Sequence, residues 1–257
     1  MSLLAADIGN AHTVLGLVTD GEVGAHWRVS TDARRTADEW AVLLRGILGD
    51  ALGEIDGIAV CCTVPSVLNE WRDMLARNFA DIRQVIVEPG VRTGVAIQVD
   101  NPREVGSDRI INALAAAEIA APSIVVDFGS TATTFDVIDD RGRYVGGAIT
   151  PGIEVSLAAL SRAGAQLRQV ELVRPKGVIG KNTVEALQSG MVFGVASQVE
   201  GMVARLVGAL GAEPGEVAVI FTGYLAPVVI DECDCFTTHR PFLTLEGLAK
   251  VFARNVR

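Results

Sequence analysis

One stretch of this chain occurs twice. Asp7, Gly9, Asn10 and Thr13 are matched by Asp127, Gly129, Ser130 and Thr133. Each set follows an apolar run, Leu3 to Ala6 and Ile124 to Val126, and leads into a second run closed by a glycine turn, at Gly21 and Gly142. A strand, a turn built on Asp-x-Gly with small hydroxyl or amide residues, and a returning strand are thus written two times over. Self-similarity of this kind predicts two related domains whose turns meet at a shared cleft. The expected fold class is α/β, with one domain over residues 1–116 and the other over 117–257, joined near a helix that opens at Ser107.

Composition narrows the functions open to such a pair. The chain has 257 residues, enough for two modest domains, and 49% are hydrophobic, which supports buried cores rather than disorder. Its net charge of -9 argues against broad binding to nucleic acid or to an anionic membrane, both of which attract basic faces. No run of about 18 apolar residues is present, and Met1 to Ala6 lacks the form of a secretory signal, so the expectation is a cytoplasmic protein. Cys61 and Cys62 read as small core residues of a strand. Cys233 and Cys235 form a C-x-C near His239, but no second ligand pair accompanies them, which favours structural cysteines over a metal site.

Between the repeats the pattern alternates. Thr36-Ala37-Asp38-Glu39 has the form of a capping box, and Trp40, Leu43, Leu44, Ile47 and Leu48 recur at helical spacing. A strand is expected from Gly57 to Thr63, a helix after Pro65 with Leu68, Trp71, Leu75 and Phe79 on one face, and a short strand from Gln84 to Val87. A turn-rich stretch from Pro89 to Gly106 precedes a helix opened by Ser107. Another long helix should open at Asn182 or Thr183 and run past Val199.

A turn that presents glycine beside Ser, Thr or Asn offers backbone N–H groups and hydroxyls to phosphate oxygens, and the preceding Asp can hold Mg²⁺ against them. Asp-x-Gly is also ordinary hairpin chemistry; two copies beside buried strands favour the phosphate reading. Asp127-Phe128-Gly129 spells the magnesium motif of protein kinases, yet no His-Arg-Asp loop accompanies it, nor a Walker loop or a Rossmann fingerprint. Gly106-Ser107-Asp108-Arg109 supplies a candidate base in Asp108 and an anion contact in Arg109, although a capping Asp beside a surface Arg fits the pattern equally well. Gly146-Gly147 through Pro151-Gly152 is glycine-rich enough to let backbone approach a ligand, and Val217 to Phe221, ending in Thr222-Gly223, is a candidate adenosine wall.

Taken in order, Asp7-Ile8-Gly9-Asn10, Val99-Asp100-Asn101-Pro102, Glu104 through Arg109, Asp127 through Ser130, Gly146 through Gly152 and Gly180-Lys181-Asn182-Thr183 resemble type III pantothenate kinase almost end to end. The resemblance implies the fold of the acetate and sugar kinase, Hsp70 and actin superfamily: two ribonuclease H-like domains facing a central nucleotide cleft. It implies ATP-dependent phosphorylation of pantothenate to 4′-phosphopantothenate, the first step of coenzyme A biosynthesis. By position it implies that Asp7, Ile8, Gly9, Asn10, Ala11, His12, Thr13 and Ser130 bind ATP, and that Asp108 is the general base. Gly106, Ser107, Asp108, Arg109 and Thr183 would bind pantothenate. Asp127 would bind a monovalent cation, K⁺ or NH₄⁺, and Asp7 would hold Mg²⁺ with the nucleotide. A homodimer with the substrate site at its interface is implied as well.

The chain departs from the family in three places. Ala11 stands where a Thr is usual, Val99 stands where a Tyr is common, and Ser130-Thr131 replaces Thr-Ala. Each lost neutral hydrogen bond costs on the order of 1 kcal/mol, which weakens binding without abolishing it. The rival expectations are a non-catalytic relative acting as a transcription accessory factor, favoured by Ala11 and Val99, and another small-molecule kinase on the same fold.

Overall fold

A computed structural model describes residues 2–163 and 170–256. The first strands are β1 (Ser2–Ile8), β2 (His12–Thr19) and β3 (Glu22–Ser30), followed by α1 (Ala37–Leu48), β4 (Gly57–Cys62), α2 (Pro65–Asn78), β5 (Arg83–Ile86) and α3 (Ser107–Ile119). Then come β6 (Ser123–Phe128), β7 (Ala132–Ile138), β8 (Tyr144–Pro151), α4 (Ile153–Ala163), α5 (Thr183–Ala209), β9 (Ala218–Thr222), the single turn α6 (Ala226–Val229), β10 (Thr238–His239) and α7 (Leu243–Asn255). Two compact units result. One joins Met1–Ala96, Asp100–Ala115 and Phe242–Arg257; the other joins Ile97–Val99 and Ala116–Pro241.

In the first unit the sheet order is β3-β2-β1-β4-β5, with β1 antiparallel to β2 and parallel to β4. Successive side chains of a strand point to opposite faces. Leu4, Ala6 and Ile8 of β1 therefore pack with Trp40 and Leu44 of α1 and Trp71 and Met74 of α2. Leu3 and Ala5 fall on the other face, with Ile111 and Leu114 of α3 and Leu245, Leu248 and Phe252 of α7. α1 begins as its sequence requires: the Thr36 side chain accepts from the Glu39 N–H while the Glu39 carboxylate accepts from the Thr36 N–H. The C-terminal segment is where the expected division shifts. Residues 242–257 lie with the first unit instead of ending the second, because the apolar stripe of α7 covers the face of β1 and β4. Gly57 of β4 leaves room for Phe252, whose ring would stand 2.1 Å from any added Cβ.

The second unit repeats the plan. Its sheet order is β10-β9-β6-β7-β8, with β6 antiparallel to β7 and parallel to β9. Ile124, Val126 and Phe128 face a core made with Phe135, Phe221 and α5 residues Ala196, Val199 and Val203. The Asn182 side chain caps α5 by accepting from the Glu185 N–H at 2.9 Å. The glycines at 146 and 147 lie within β8, and Gly147 lets the backbone of β7 come close: a Cβ there would sit 1.7 Å from the Phe135 carbonyl oxygen. No helix among the described residues is long and apolar enough to cross a membrane.

Candidate active site

Period two decides where the first carboxylate goes. Asp7 follows Leu3 and Ala5 onto the α3 side of the sheet, at the C-terminal end of β1, where α/β folds bind ligands. Its register partner on β4 is Cys61, and the thiol donates to Asp7 Oδ1 at 3.1 Å. The chain then turns: the Gly9 N–H donates to the His12 carbonyl at 3.0 Å, and the Thr31 N–H donates to the Ala11 carbonyl at 2.9 Å. Ile8 and Thr13 are wholly buried, and the Thr13 hydroxyl is hydrogen-bonded to that of Thr31 at 2.8 Å. The part of this turn open to a ligand is therefore Gly9 to His12, with Asn10 the most exposed.

Asp108 comes to the same end of the sheet from α3. The Gly106 carbonyl accepts from the Ile110 N–H, so Gly106 is the residue that precedes the helix and Ser107 is its first member, not its cap. Ser107 instead turns its hydroxyl towards the Cys62 carbonyl at 3.5 Å. Glycine at 106 has a steric cause: a Cβ there would lie 2.4 Å from Asp108 Oδ1. That oxygen is withdrawn from solvent and has no hydrogen-bond partner. Burial pushes the Asp108 carboxyl above the usual range, opposed by the Arg109 backbone N–H and the positive charge of Arg109. Burial and then the neighbouring Asp108 charge raise Asp7 to about 7, against the lowering effect of the Cys61 hydrogen bond. The structure thus joins Asp7, Gly106, Ser107, Asp108 and Arg109 in one unit.

In the second unit Asp127 occupies the place of Asp7, and Thr222 of β9 the place of Cys61. Gly129 sits as Gly9 does, its Cβ position 2.9 Å from the Ala132 carbonyl oxygen. Ser130 is half-buried, and its carbonyl together with that of Gly129 closes on Gly152, where a Cβ would meet them at 2.4 and 2.8 Å. Gly223, at φ 89°, lies hard against two oxygens: a Cβ there would stand 2.6 Å from both Asp127 Oδ1 and the Phe128 carbonyl. Thr183 is exposed at the first position of α5.

Sequence reasoning missed Cys61 and Gly223. The apolar run around Cys61 hid a thiol that pairs in register with a site carboxylate; burial pushes that thiol well above its ordinary range, so it stays a donor. Gly223 looked like the end of an adenosine wall, and its steric role against Asp127 needs the parallel pairing of β6 and β9 to be seen. All four cysteines are free thiols. Among the described residues no group of three His, Cys, Asp or Glu side chains is gathered to hold a metal by protein ligands alone.

Comparison with known proteins gives the family. A family model described as type III pantothenate kinase matches residues 3–205. The type III pantothenate kinase of Nocardioides sp. is 70% identical over 256 residues, covering 99% of this chain and 100% of that one. Its counterpart in Streptomyces griseus is 59% identical over 262 residues, covering 99% and 98%. Among solved structures, the activator of the 2-hydroxyisocaproyl-CoA dehydratase from Clostridium difficile aligns with a TM-score of 0.57 at 15% identity, over 99% of this chain and 96% of that one. The acetate kinase of Porphyromonas gingivalis aligns with a TM-score of 0.54 at 12% identity, over 100% of both chains. These likenesses show a fold shared with those two proteins, in keeping with the two five-stranded sheets of the chain. The chain belongs to the type III pantothenate kinase family.

Proposed function

We propose that this kinase transfers the γ-phosphoryl group of ATP to the primary hydroxyl of pantothenate, yielding 4′-phosphopantothenate and ADP for coenzyme A biosynthesis. The observation that carries the residue assignment is the buried, unpartnered Asp108 Oδ1 beside Asp7. Asp108 accepts the hydroxyl proton as the oxygen attacks the γ-phosphorus and the bond to the bridging oxygen of ADP breaks. A carboxyl raised by burial is a stronger base than one in water, and general bases of this kind contribute about 10²- to 10⁴-fold. Arg109, with its fixed positive charge, binds the pantothenate carboxylate, while Gly106, Ser107 and Thr183 complete that site. ATP is held by the turn from Asp7 through Ile8, Gly9, Asn10, Ala11, His12 and Thr13, and by Ser130. Within the first turn, Ile8 and Thr13 contribute backbone and shape, since their side chains are buried.

Two cations suit the donors present. Paired carboxylates that repel one another, Asp7 and Asp108, favour a cation nearby, and Mg²⁺ commonly binds one or two carboxylates plus substrate phosphates. Asp7 would hold it; Mg²⁺ supplies positive charge to the β- and γ-phosphates. Asp127 Oδ1 and the Phe128 carbonyl both lie beside Gly223, and oxygen donors of this kind suit a monovalent cation such as K⁺ or NH₄⁺. A homodimer with the substrate site at its interface is supported by apolar side chains left exposed on the second unit: Ile179 is 86% exposed, Val178 66% and Ile149 62%. We assign the enzyme to the cytoplasm, acting without nucleic acid or membrane.

Incubating the purified protein with Mg-ATP and pantothenate, with and without potassium, tests the reading. It predicts 4′-phosphopantothenate with potassium present. Absence of product in every condition would remove the kinase reading and leave the accessory-factor rival; turnover of a different alcohol alone would favour another small-molecule kinase.

A further inference from the structure

The helix that carries Asp108 is seated by the last helix of the chain. Ile111 and Leu114 of α3 pack against Leu245, Leu248 and Val251 of α7 in an apolar cluster. Gly247 brings the two backbones close: a Cβ there would stand 2.4 Å from Ile111 Cγ2 and 2.6 Å from the Ile111 carbonyl oxygen. Within this apolar seam the Thr244 hydroxyl donates to Asn112 Oδ1 at 2.8 Å. Both residues are buried, Asn112 wholly so and Thr244 at 8% exposure. Asn112 lies one turn beyond Asp108 on α3.

An apolar seam is non-directional and tolerates small slides and rotations, whereas a buried hydrogen bond has one geometry and a high cost when broken. A polar pair in an apolar helix interface is the best-attested device for setting register. We propose that Thr244 and Asn112, with Gly247 setting the depth of contact, are positioning residues that fix the rotation and height of α3 and so the point at which Asp108 meets the substrate hydroxyl. This rests on Asp108 being the base. Neither Thr244 nor Asn112 touches a reacting atom. Misplacement of a catalytic group by about 1 Å costs roughly 10²-fold, so a small relaxation of α3 is enough to be read in turnover.

The test is Thr244→Val, which keeps the shape of the side chain and removes its hydroxyl, with Thr244→Ser as the variant that keeps the hydroxyl. Steady-state kinetics and melting temperature are measured for both, and for Val203→Ala, a core change in the second unit chosen to lower melting temperature alone. Thr244→Val should lose about 10-fold in kcat or more with KM for ATP within about twofold of wild type, and Thr244→Ser should recover most of the loss. In an Asp108→Asn background, Thr244→Val should add little further loss, because the two act through one group. Full kcat in Thr244→Val, an equal loss of kcat in Val203→Ala, or a loss that multiplies with Asp108→Asn would each overturn the proposal. Wild-type turnover by Asp108→Asn itself would remove the base assignment beneath it, a result distinguishable from full kcat in Thr244→Val alone.

Discussion

The two units build the same turn from different neighbours. Ile8 pairs with Thr13 across the first hairpin, and Phe128 pairs with Thr133 across the second. Asp7 and Asp127 stand at the ends of equivalent strands, and a glycine two residues later closes against a carbonyl in each. What differs is the next strand over. Cys61 and Cys62 stand beside β1 on β4, while Thr222 ends β9 beside β6 and Gly223 comes directly after it. In the first unit Asp7 gains a thiol donor and, from α3, a second carboxylate; its pKa rises to about 7. In the second unit Asp127 gains a glycine packed so closely that a side chain there would clash with Asp127 Oδ1 and the Phe128 carbonyl. One backbone frame thus carries two different surroundings for its carboxylate, and the proposed roles, proton transfer for the first unit and cation holding for the second, rest on that difference.

The largest test of this contrast removes the second carboxylate of the first unit. Asp108→Asn keeps size and loses the base, and should lower kcat by roughly 10²- to 10⁴-fold with little change in melting temperature. Steady-state kinetics beside a thermal melt would show it; kcat within a few-fold of wild type would erase the distinction between the units.

A smaller effect is expected from Gly223→Ala. Its φ of 89° is strained for any other residue, and the new Cβ would meet Asp127 Oδ1 and the Phe128 carbonyl at 2.6 Å. Strain alone costs about 1–2 kcal/mol, and each kcal/mol lowers the melting temperature of a protein this size by about 2–4 °C. Cys62→Ala, at the matching place in the first unit, should cost less. Equal losses in calorimetry would mean the glycine has no special role.

The mildest expected effect concerns pH. The folded-state pKa of Asp7 is raised to about 7, above the ordinary carboxylate range. Between those values the folded protein keeps a proton that the unfolded chain has released, so stability from this group is full at acid pH and is lost as pH rises through 7. Asp7→Asn removes that loss. In metal-free buffer the variant should melt above wild type at pH 8, and the gap should close as pH falls towards 4. A gap that widens at acid pH would reverse the assigned shift.

Much of this was legible in the sequence, for identifiable reasons. The duplicated Asp-x-Gly turns could be seen because hairpin strands with a two-residue period leave a regular trace, and Thr36 to Glu39 signalled its helix through a local capping box that the structure contains. Gly106 to Arg109 was visible as a cluster but not as a mechanism, since only the fold carries Asp108 to Asp7 from across 100 residues of chain. Ser107 opens its helix as expected, but Gly106 takes the capping place and leaves room for the Asp108 carboxyl. The seat of α7 was hidden, because an amphipathic helix at the end of a chain does not say which sheet it covers. Net charge, finally, says little about two anionic ligands: with -9 overall, the proposal assigns their binding to local N–H groups, cations and Arg109.

Division of labour between the turns is tested most directly by titrating potassium into wild type, Asp7→Asn and Asp127→Asn at saturating Mg-ATP and pantothenate. Saturable activation should appear in wild type, persist in whatever turnover Asp7→Asn retains, and vanish in Asp127→Asn. A potassium response unchanged in Asp127→Asn, or lost only in Asp7→Asn, would contradict the account.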